Sequence, residues 1–236
     1  VWVLDLADPD ELPDTILSRC RMVRFAPWEP EQLRAEATRQ GLADPTDVDL
    51  AVRACMGSPV ALRRLAAPGG LDDLRRARSI PGRLRQEGPG AALVLARELD
   101  DVVRRQVAAR REDGKAALAA LAASYGDEIP RAVARHLEDR AAREERETKT
   151  STLQAALDDL TSWLRDCLLV AAGGQVADAL HRDAGEALRE DAAAGCARLL
   201  RATDLVASTR DSLERNAQPQ LALEALLLDL HALGCG

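Results

Sequence analysis

Strand-forming sequence is almost absent from this chain. One short apolar run, Val1-Trp2-Val3-Leu4-Asp5-Leu6, reads as a buried-type strand. Met22-Val23-Arg24-Phe25 alternates weakly, in the manner of an edge strand, and the sequence after about residue 28 reads as helix. A lone strand leaves its backbone donors and acceptors without partners, because these need neighbouring strands. The expected fold is therefore mainly α, opening with the last piece of an α/β core whose other strands lie upstream of Val1. A first residue that is Val rather than Met agrees with a chain cut from a longer one.

Composition narrows this further. Trp2, Trp28, Trp163, Phe25 and Tyr125 supply all the Trp, Phe and Tyr side chains in 236 residues, so the core is expected to be Leu, Ala and Val, which suits helix-on-helix packing. Of the 32 basic residues only Lys115 and Lys149 are lysines. That excess of Arg, with abundant Ala, reads as a genome-wide compositional bias, since a nucleic-acid footprint would form a local patch. A net charge of −7 argues against a surface that grips nucleic acid all over. The charge is nevertheless uneven. Arg63, Arg64, Arg75, Arg76, Arg78, Arg83, Arg85, Arg104, Arg105, Arg110 and Arg111 crowd one segment, and the chain beyond Leu157 is acidic on balance. Ion pairs along solvated helix faces are the plainer reading of the Arg-rich segment, and a patch that meets an acidic partner is the other. Cys20, Cys55, Cys167, Cys196 and Cys235 are odd in number, far apart and free of any Cys-x-x-Cys pair, which fits reduced thiols in a cytoplasmic protein. His136, His181 and His231 are equally dispersed, so spacing supports no metal site. No run approaches the roughly 18 to 20 uncharged residues of a membrane span, and nothing resembles a signal peptide.

The helical signals divide the chain. Asp8-Pro9-Asp10-Glu11 is a turn with helix-start chemistry, followed by a short helix over Thr15 to Arg19. Pro27 to Pro30 opens a helix that Gly41 stops near Gln40; Asp44-Pro45-Thr46-Asp47 caps another, from Val48 to Met56; and Gly57-Ser58-Pro59 precedes a third, from Val60 to Leu65. Pro68-Gly69-Gly70 reads as a linker, Leu71 to Arg78 as a helix, and Pro81-Gly82 as an interruption. Ala91, Leu95, Leu99, Val102, Val103 and Val107 mark a helix over Gly90 to Arg111, which Asp113-Gly114 is expected to separate from Ala116 to Ala123. Ile129 to Val170 reads as one very long helix ended by Gly173-Gly174. Its middle, Arg140 to Thr150, has no apolar stripe, so it bridges solvent or faces a partner. Two helices close the chain, Ala192 to Arg215 and Gln220 to Leu230, the last with Leu223, Leu226, Leu227 and Leu230 on one face.

Catalytic signatures are missing. There is no Gly-x-x-x-x-Gly-Lys phosphate loop, no Gly-x-Gly-x-x-Gly after a strand, and no serine with His and Asp partners at a plausible elbow. The Asp pairs 72–73, 100–101 and 158–159 sit on helical patterns, where adjacent residues diverge, and read as solvated surface rather than as acid/base dyads.

Four stretches carry a resemblance. Leu12-Pro13-Asp14-Thr15-Ile16-Leu17-Ser18-Arg19-Cys20 resembles the block that ends the AAA+ core in clamp-loader subunits. Gly57-Ser58-Pro59-Val60-Ala61-Leu62 sits where that family has its sensor-2 block, in the third helix of a small lid. Asn216-Ala217-Gln218-Pro219-Gln220-Leu221-Ala222-Leu223-Glu224 is similar to the family's closing collar motif. Arg143 to Asp166, with the Arg-Asp-x-Leu-type stretch Arg165-Asp166-Cys167-Leu168, is similar to the long collar helix of actinobacterial-type delta-prime subunits of bacterial DNA polymerase III. The Ser-Arg-Cys block and the closing block are specific; the middle of the chain matches mostly by helix pattern.

The resemblance implies an arrangement and a chemistry. Residues 1–27 would be the end of the AAA+ core, with a sensor-1-like strand and the Ser-Arg-Cys block. Residues 28–68 would be the helical lid, 69–83 a linker with a helix, and 84–236 a helical collar for oligomerisation. Arg19, flanked by Ser18 and Cys20, would reach in trans to ATP and Mg held by a neighbouring subunit. A fixed guanidinium there stabilises charge on the transferred phosphoryl group, an effect of about 10³ to 10⁵ in rate in related hydrolases. The bland alternative is a surface Arg paired with Glu11 or Asp14. Family members that hydrolyse ATP carry an Arg three residues after the lid glycine; here Gly57 is followed by Val60, so the chain is expected not to hydrolyse ATP itself. Arg63 and Arg64, one turn later, are possible substitutes, and Asp14 is an extra residue within the family block. The implied function is that of a delta-prime-like clamp-loader subunit in DNA replication, part of a DNA-directed DNA polymerase holoenzyme. It would work with tau/gamma and delta subunits and, through them, with the sliding clamp and primed DNA. The alternatives are a fragment of the tau/gamma ATPase subunit and a helical adaptor unrelated to nucleotides.

Overall fold

The computed structural model describes residues 3–4, 12–125, 131–215 and 217–234. Among these residues all regular structure is helical. The ten α-helices are α1 (Asp14–Leu17), α2 (Pro30–Arg39), α3 (Pro45–Ala54), α4 (Pro59–Ala66), α5 (Gly70–Glu87), α6 (Gly90–Tyr125), α7 (Arg131–Ala171), α8 (Gly185–Ala192), α9 (Cys196–Glu214) and α10 (Pro219–Ala232). The strand expected over Val1 to Leu6 falls mostly outside the described residues, as does the turn at Asp8 to Glu11; Val3 and Leu4 are exposed and irregular. Met22 to Phe25 forms no strand. Its alternation is genuine, but among the described residues no second strand lies beside it to accept its hydrogen bonds, and all four side chains are exposed.

Helices α2, α3 and α4 begin alike, each with Pro at its first position, where the missing N–H is no loss. Each also has a side-chain cap. Glu29 and Gln32 form a reciprocal capping box, Asp44 Oδ1 accepts from Thr46 N at 2.7 Å, and Ser58 Oγ accepts from Ala61 N at 3.2 Å. The three helices enclose a small core of Leu33, Ala37, Leu50, Ala51, Val52, Cys55, Leu62 and Leu65, closed by Leu71 and Leu74 of α5.

Helix α5 runs through Pro81-Gly82, contrary to the expected interruption. Proline removes one backbone hydrogen bond and crowds the preceding turn, but Ile80, Pro81 and Leu84 are buried and their packing holds the helix together. Leu71 and Leu74 belong to the small core, and Ile80 and Leu84 to the larger one, so a single helix spans both. Its start requires glycine: a Cβ on Gly70 would lie 2.2 Å from the carbonyl oxygen of Arg64.

The larger core is almost wholly aliphatic. Leu95 and Leu99 of α6, Leu153, Leu157, Leu160 and Leu164 of α7, Leu188 of α8, Leu199 and Val206 of α9, and Leu223, Leu226, Leu227 and Leu230 of α10 surround Trp163. The leucine face anticipated for α10 is thus buried inside this chain. Arg110 pairs with Glu144, while Leu153 and Leu157, farther along α7, share a core with Leu95 and Val103, earlier in α6; the two long helices are therefore antiparallel. At 36 and 41 residues they measure about 54 and 62 Å. The expected break at Asp113-Gly114 does not occur. Gly114 does not adopt the left-handed backbone that ends helices, and in good helix-forming surroundings one glycine costs only about 1 kcal/mol. Helix α8 and the single 3-10 turns Val176–Asp178 and Arg182–Ala184 fill a stretch that has no clear periodicity.

Candidate functional site

The Ser-Arg-Cys block leaves a one-turn helix on exposed backbone. Ser18 N donates to Asp14 O at 2.9 Å, Arg19 N to Ile16 O at 3.0 Å and Cys20 N to Leu17 O at 3.1 Å, while Ser18 Oγ donates to Thr15 O at 3.4 Å. All three side chains are exposed, and no residue of α1 is buried. Among the described residues no ion pair restrains the Arg19 guanidinium; Asp14 does not bind it, and Glu11 lies outside the described residues. Cys20 is an exposed thiol. The segment from Arg21 to Pro27 that follows is exposed throughout.

At the corner before α4, Trp28 N donates to Gly57 O at 2.9 Å. Gly57 has φ +85°, and a Cβ there would sit 2.5 Å from Pro27 Cβ, so only glycine permits the approach. Met56 beside it is held at φ 47°, an uncommon conformation for a side-chain-bearing residue. Val60, in the first turn of α4, is 68% exposed, and its apolar side chain offers a phosphate nothing to bind. Arg64 is no substitute. Its guanidinium makes a two-pronged pair with Asp159 of α7, at 2.9 and 2.7 Å. Arg63 stays exposed, with Nε 3.4 Å from Pro59 O.

The closing block is divided. Asn216 lies outside the described residues, Pro219 opens α10, Leu221 is exposed, Leu223 is buried, and Glu224 accepts from Gln220 Nε2 at 2.9 Å. Its described residues start and seat a helix, and no reactive group converges on them.

The Arg-rich segment is largely neutralised within the chain. Arg75 pairs with Asp47 and Asp72, Arg76 with Asp73, Arg78 with Asp183, and Arg83 with Glu87 and Glu98. Arg85 pairs with Glu190 and Asp191, Arg104 with Asp100, Arg105 with Asp73, Arg110 with Glu144 and Arg111 with Glu145. The last two pairs also explain the polar middle of α7, whose partner across this face is α6 of the same chain. Asp159, expected on solvated surface, is instead only 6% exposed.

Sequence reading missed a buried polar cluster around residues 180–183. His181 and Asp166 are fully buried. His181 Nε2 lies 3.0 Å from Ser162 Oγ, and the His181 ring stands 5.4 Å from that of Trp163. Asp166 Oδ2 accepts from the His181 backbone N at 2.8 Å. A Ser, a His and an Asp therefore meet, but not as a catalytic triad. The carboxylate holds the main chain rather than ring Nδ1, and Nδ1 and Asp166 Oδ1 have no hydrogen-bond partner. The neighbouring backbone joins the two cores: Arg53 Nε of α3 donates to Leu180 O at 2.7 Å, Arg53 and Arg78 both pair with Asp183, and Arg182 reaches Asp49 at 3.1 Å. Burial, with Arg78, Arg53 and Arg165 nearby, pushes the imidazole down to about 4. Burial likewise raises the carboxyls of Asp166, of Asp159 against the pull of Arg64, and of Asp191 against Arg85 and Trp163 Nε1. The one legible signal was Ser162 and Asp166 at i and i+4 on α7; His181 lies beyond the helix in sequence that has no period.

Among the described residues no phosphate cradle or carboxylate pair comes together beside Arg19. Among the described residues no group of three or more His, Cys, Asp or Glu side chains gathers to hold a metal, and no helix is long and apolar enough to cross a membrane. Comparison with protein-family models, with curated proteins and with solved structures gave no match.

Proposed function

We propose that this chain is the lid and collar of a cytoplasmic clamp-loader subunit of the delta-prime kind, acting in DNA replication. The observation that supports the reading is Arg19. It is exposed and unrestrained by ion pairs among the described residues, at the end of a Leu-Pro-x-Thr-Ile-x-Ser-Arg-Cys block that leads into a capped three-helix module. In that setting Arg19 serves ATP and Mg bound by a neighbouring tau/gamma subunit, and Val60 leaves this lid without hydrolytic machinery of its own. Residues 84–236, from the last turn of α5 through α10, are the collar. Since α10 buries its leucine face internally, contacts with tau/gamma and delta subunits use what remains outside, including Leu200, Leu221 and Leu228, all exposed. The test is gel filtration of the protein with tau/gamma and delta subunits, followed by loading of the sliding clamp onto primed DNA. Co-elution that is lost in Leu221→Glu/Leu228→Glu supports the reading.

The internal burial of Leu223, Leu226, Leu227 and Leu230 favours a second reading, a self-contained helical adaptor with no link to nucleotides. It is the outcome if the protein elutes alone.

A further inference from the structure

The polar middle of α7 sorts its charges by face. Glu144 and Glu145 turn toward α6 and are held by Arg110 and Arg111. Arg146 and Lys149 turn instead toward the end of α9, where an open cavity of about 350 Å³ lies between α7, α9 and the start of α10. Arg210, from the last turns of α9, lines the same cavity and is steered by Asp158. Leu153 and Leu213 form its apolar floor, and Glu214 is the carboxylate at its wall. Among the described residues Arg146 and Lys149 have no carboxylate partner, in a chain that neutralises most of its Arg side chains between residues 63 and 111. Two cations without a carboxylate partner, and Arg210 paired with Asp158, thus face one small volume. The cavity lies at the lower end of the roughly 300 to 1,000 Å³ typical of ligand sites.

We propose that this cavity between α7, α9 and α10 binds a phosphate-class anion through Arg146, Lys149 and Arg210. Convergent cations favour an anion of two or more charges with several acceptor oxygens. The Arg146 fork suits paired oxygens, and Lys149 acts as a point charge beside it. The exposed Thr150 hydroxyl on the wall supplies a further donor. The inference is independent of the role assigned to Arg19. Two sources carry this chemistry, a free phosphate compound and the phosphodiester backbone of a nucleic-acid strand, and two probes separate them.

Inorganic pyrophosphate is titrated into the protein by calorimetry at low salt, and a twelve-nucleotide single strand by fluorescence anisotropy. Arg146→Ala/Lys149→Ala is expected to weaken pyrophosphate binding at least tenfold. Arg198→Ala/Arg201→Ala, which removes the same charge from exposed positions of α9, is expected to leave it within twofold. Parallel loss of the oligonucleotide in the first variant assigns the site to a strand backbone; pyrophosphate binding without oligonucleotide binding assigns it to a free phosphate compound. Absence of saturable pyrophosphate binding, equal loss in both double variants, or succinate binding as tightly as pyrophosphate overturns the proposal. Both variants change exposed side chains, and far-UV circular dichroism checks that each remains folded.

Discussion

The buried His181 gives the fold a pH dependence whose sign and size follow from its surroundings. In the unfolded chain an imidazole titrates near 6.5; in the fold burial and the nearby Arg78, Arg53 and Arg165 bring it to about 4, opposed only in part by Asp183. Between these values the unfolded state holds a proton that the native state lacks, so stability falls as pH drops through this window. With a free-energy equivalent of 1.36 kcal/mol per pH unit, the loss is about 2 kcal/mol between pH 7.5 and pH 5, and about 3 kcal/mol by pH 4. The buried carboxyls work in the opposite sense. Asp166, Asp159 and Asp191 have raised values, so they favour the fold at low pH and lose that contribution as pH rises above the usual carboxylate range. Subtracting a variant isolates the imidazole. His181→Gln keeps a polar side chain beside Ser162 and removes the titration. Urea unfolding followed by circular dichroism at pH 7.5, 6 and 5 is expected to show wild type losing about 2 kcal/mol relative to the variant. Parallel stability curves, or a gap that moves the other way, would refute the reasoning.

Arg64→Ala is expected to destabilise by about 2 kcal/mol, below the 3 to 5 kcal/mol of a fully buried pair because the Arg64 side chain is 35% exposed. A double-mutant cycle with Asp159→Ala checks that the loss belongs to the pair. Gly70→Ala is expected to lower the melting temperature, since its Cβ would meet the Arg64 backbone, whereas Gly114→Ala has open space and is expected to stabilise by up to about 1 kcal/mol. The isolated chain is expected to show no saturable, Mg-dependent ATP hydrolysis; a measurable turnover number would contradict the reading of Val60.

Local rules were legible wherever the backbone obeyed local chemistry. The caps and N1 prolines of α2 to α4 stand at Glu29-Pro30, Asp44-Pro45 and Ser58-Pro59, and the leucine spacing of α10 gave its buried face. Breaks were over-read. Pro81-Gly82 and Asp113-Gly114 look like punctuation, but tertiary packing carries α5 across the first and an otherwise strong helix absorbs the second. Long-range pairs were invisible for a different reason. Nothing near Asp159 indicates that Arg64, 95 positions earlier, will cover it, and nothing near His181 indicates that Ser162 and Asp166 will enclose it. In the candidate site, Arg19 and Val60 were legible as positions within sequence blocks and both are exposed, whereas the α7–α9–α10 cavity arises only when three distant segments meet.

The most direct test of the proposed function is steady-state ATP hydrolysis by a reconstituted clamp loader carrying Arg19→Ala, with wild-type and variant assemblies matched by gel filtration. Arg19 contributes to no core and to no described ion pair, so its removal is expected to leave folding and assembly unchanged. A charge that acts mainly in the transition state lowers kcat more than nucleotide affinity. Arg19→Lys is expected to rescue poorly, because an ammonium does not reproduce the guanidinium fork. The expected result is a fall in the DNA- and clamp-stimulated kcat of the neighbouring subunit by at least tenfold, with nucleotide affinity little changed. Equal rates for wild type and Arg19→Ala in fully assembled complexes would contradict it.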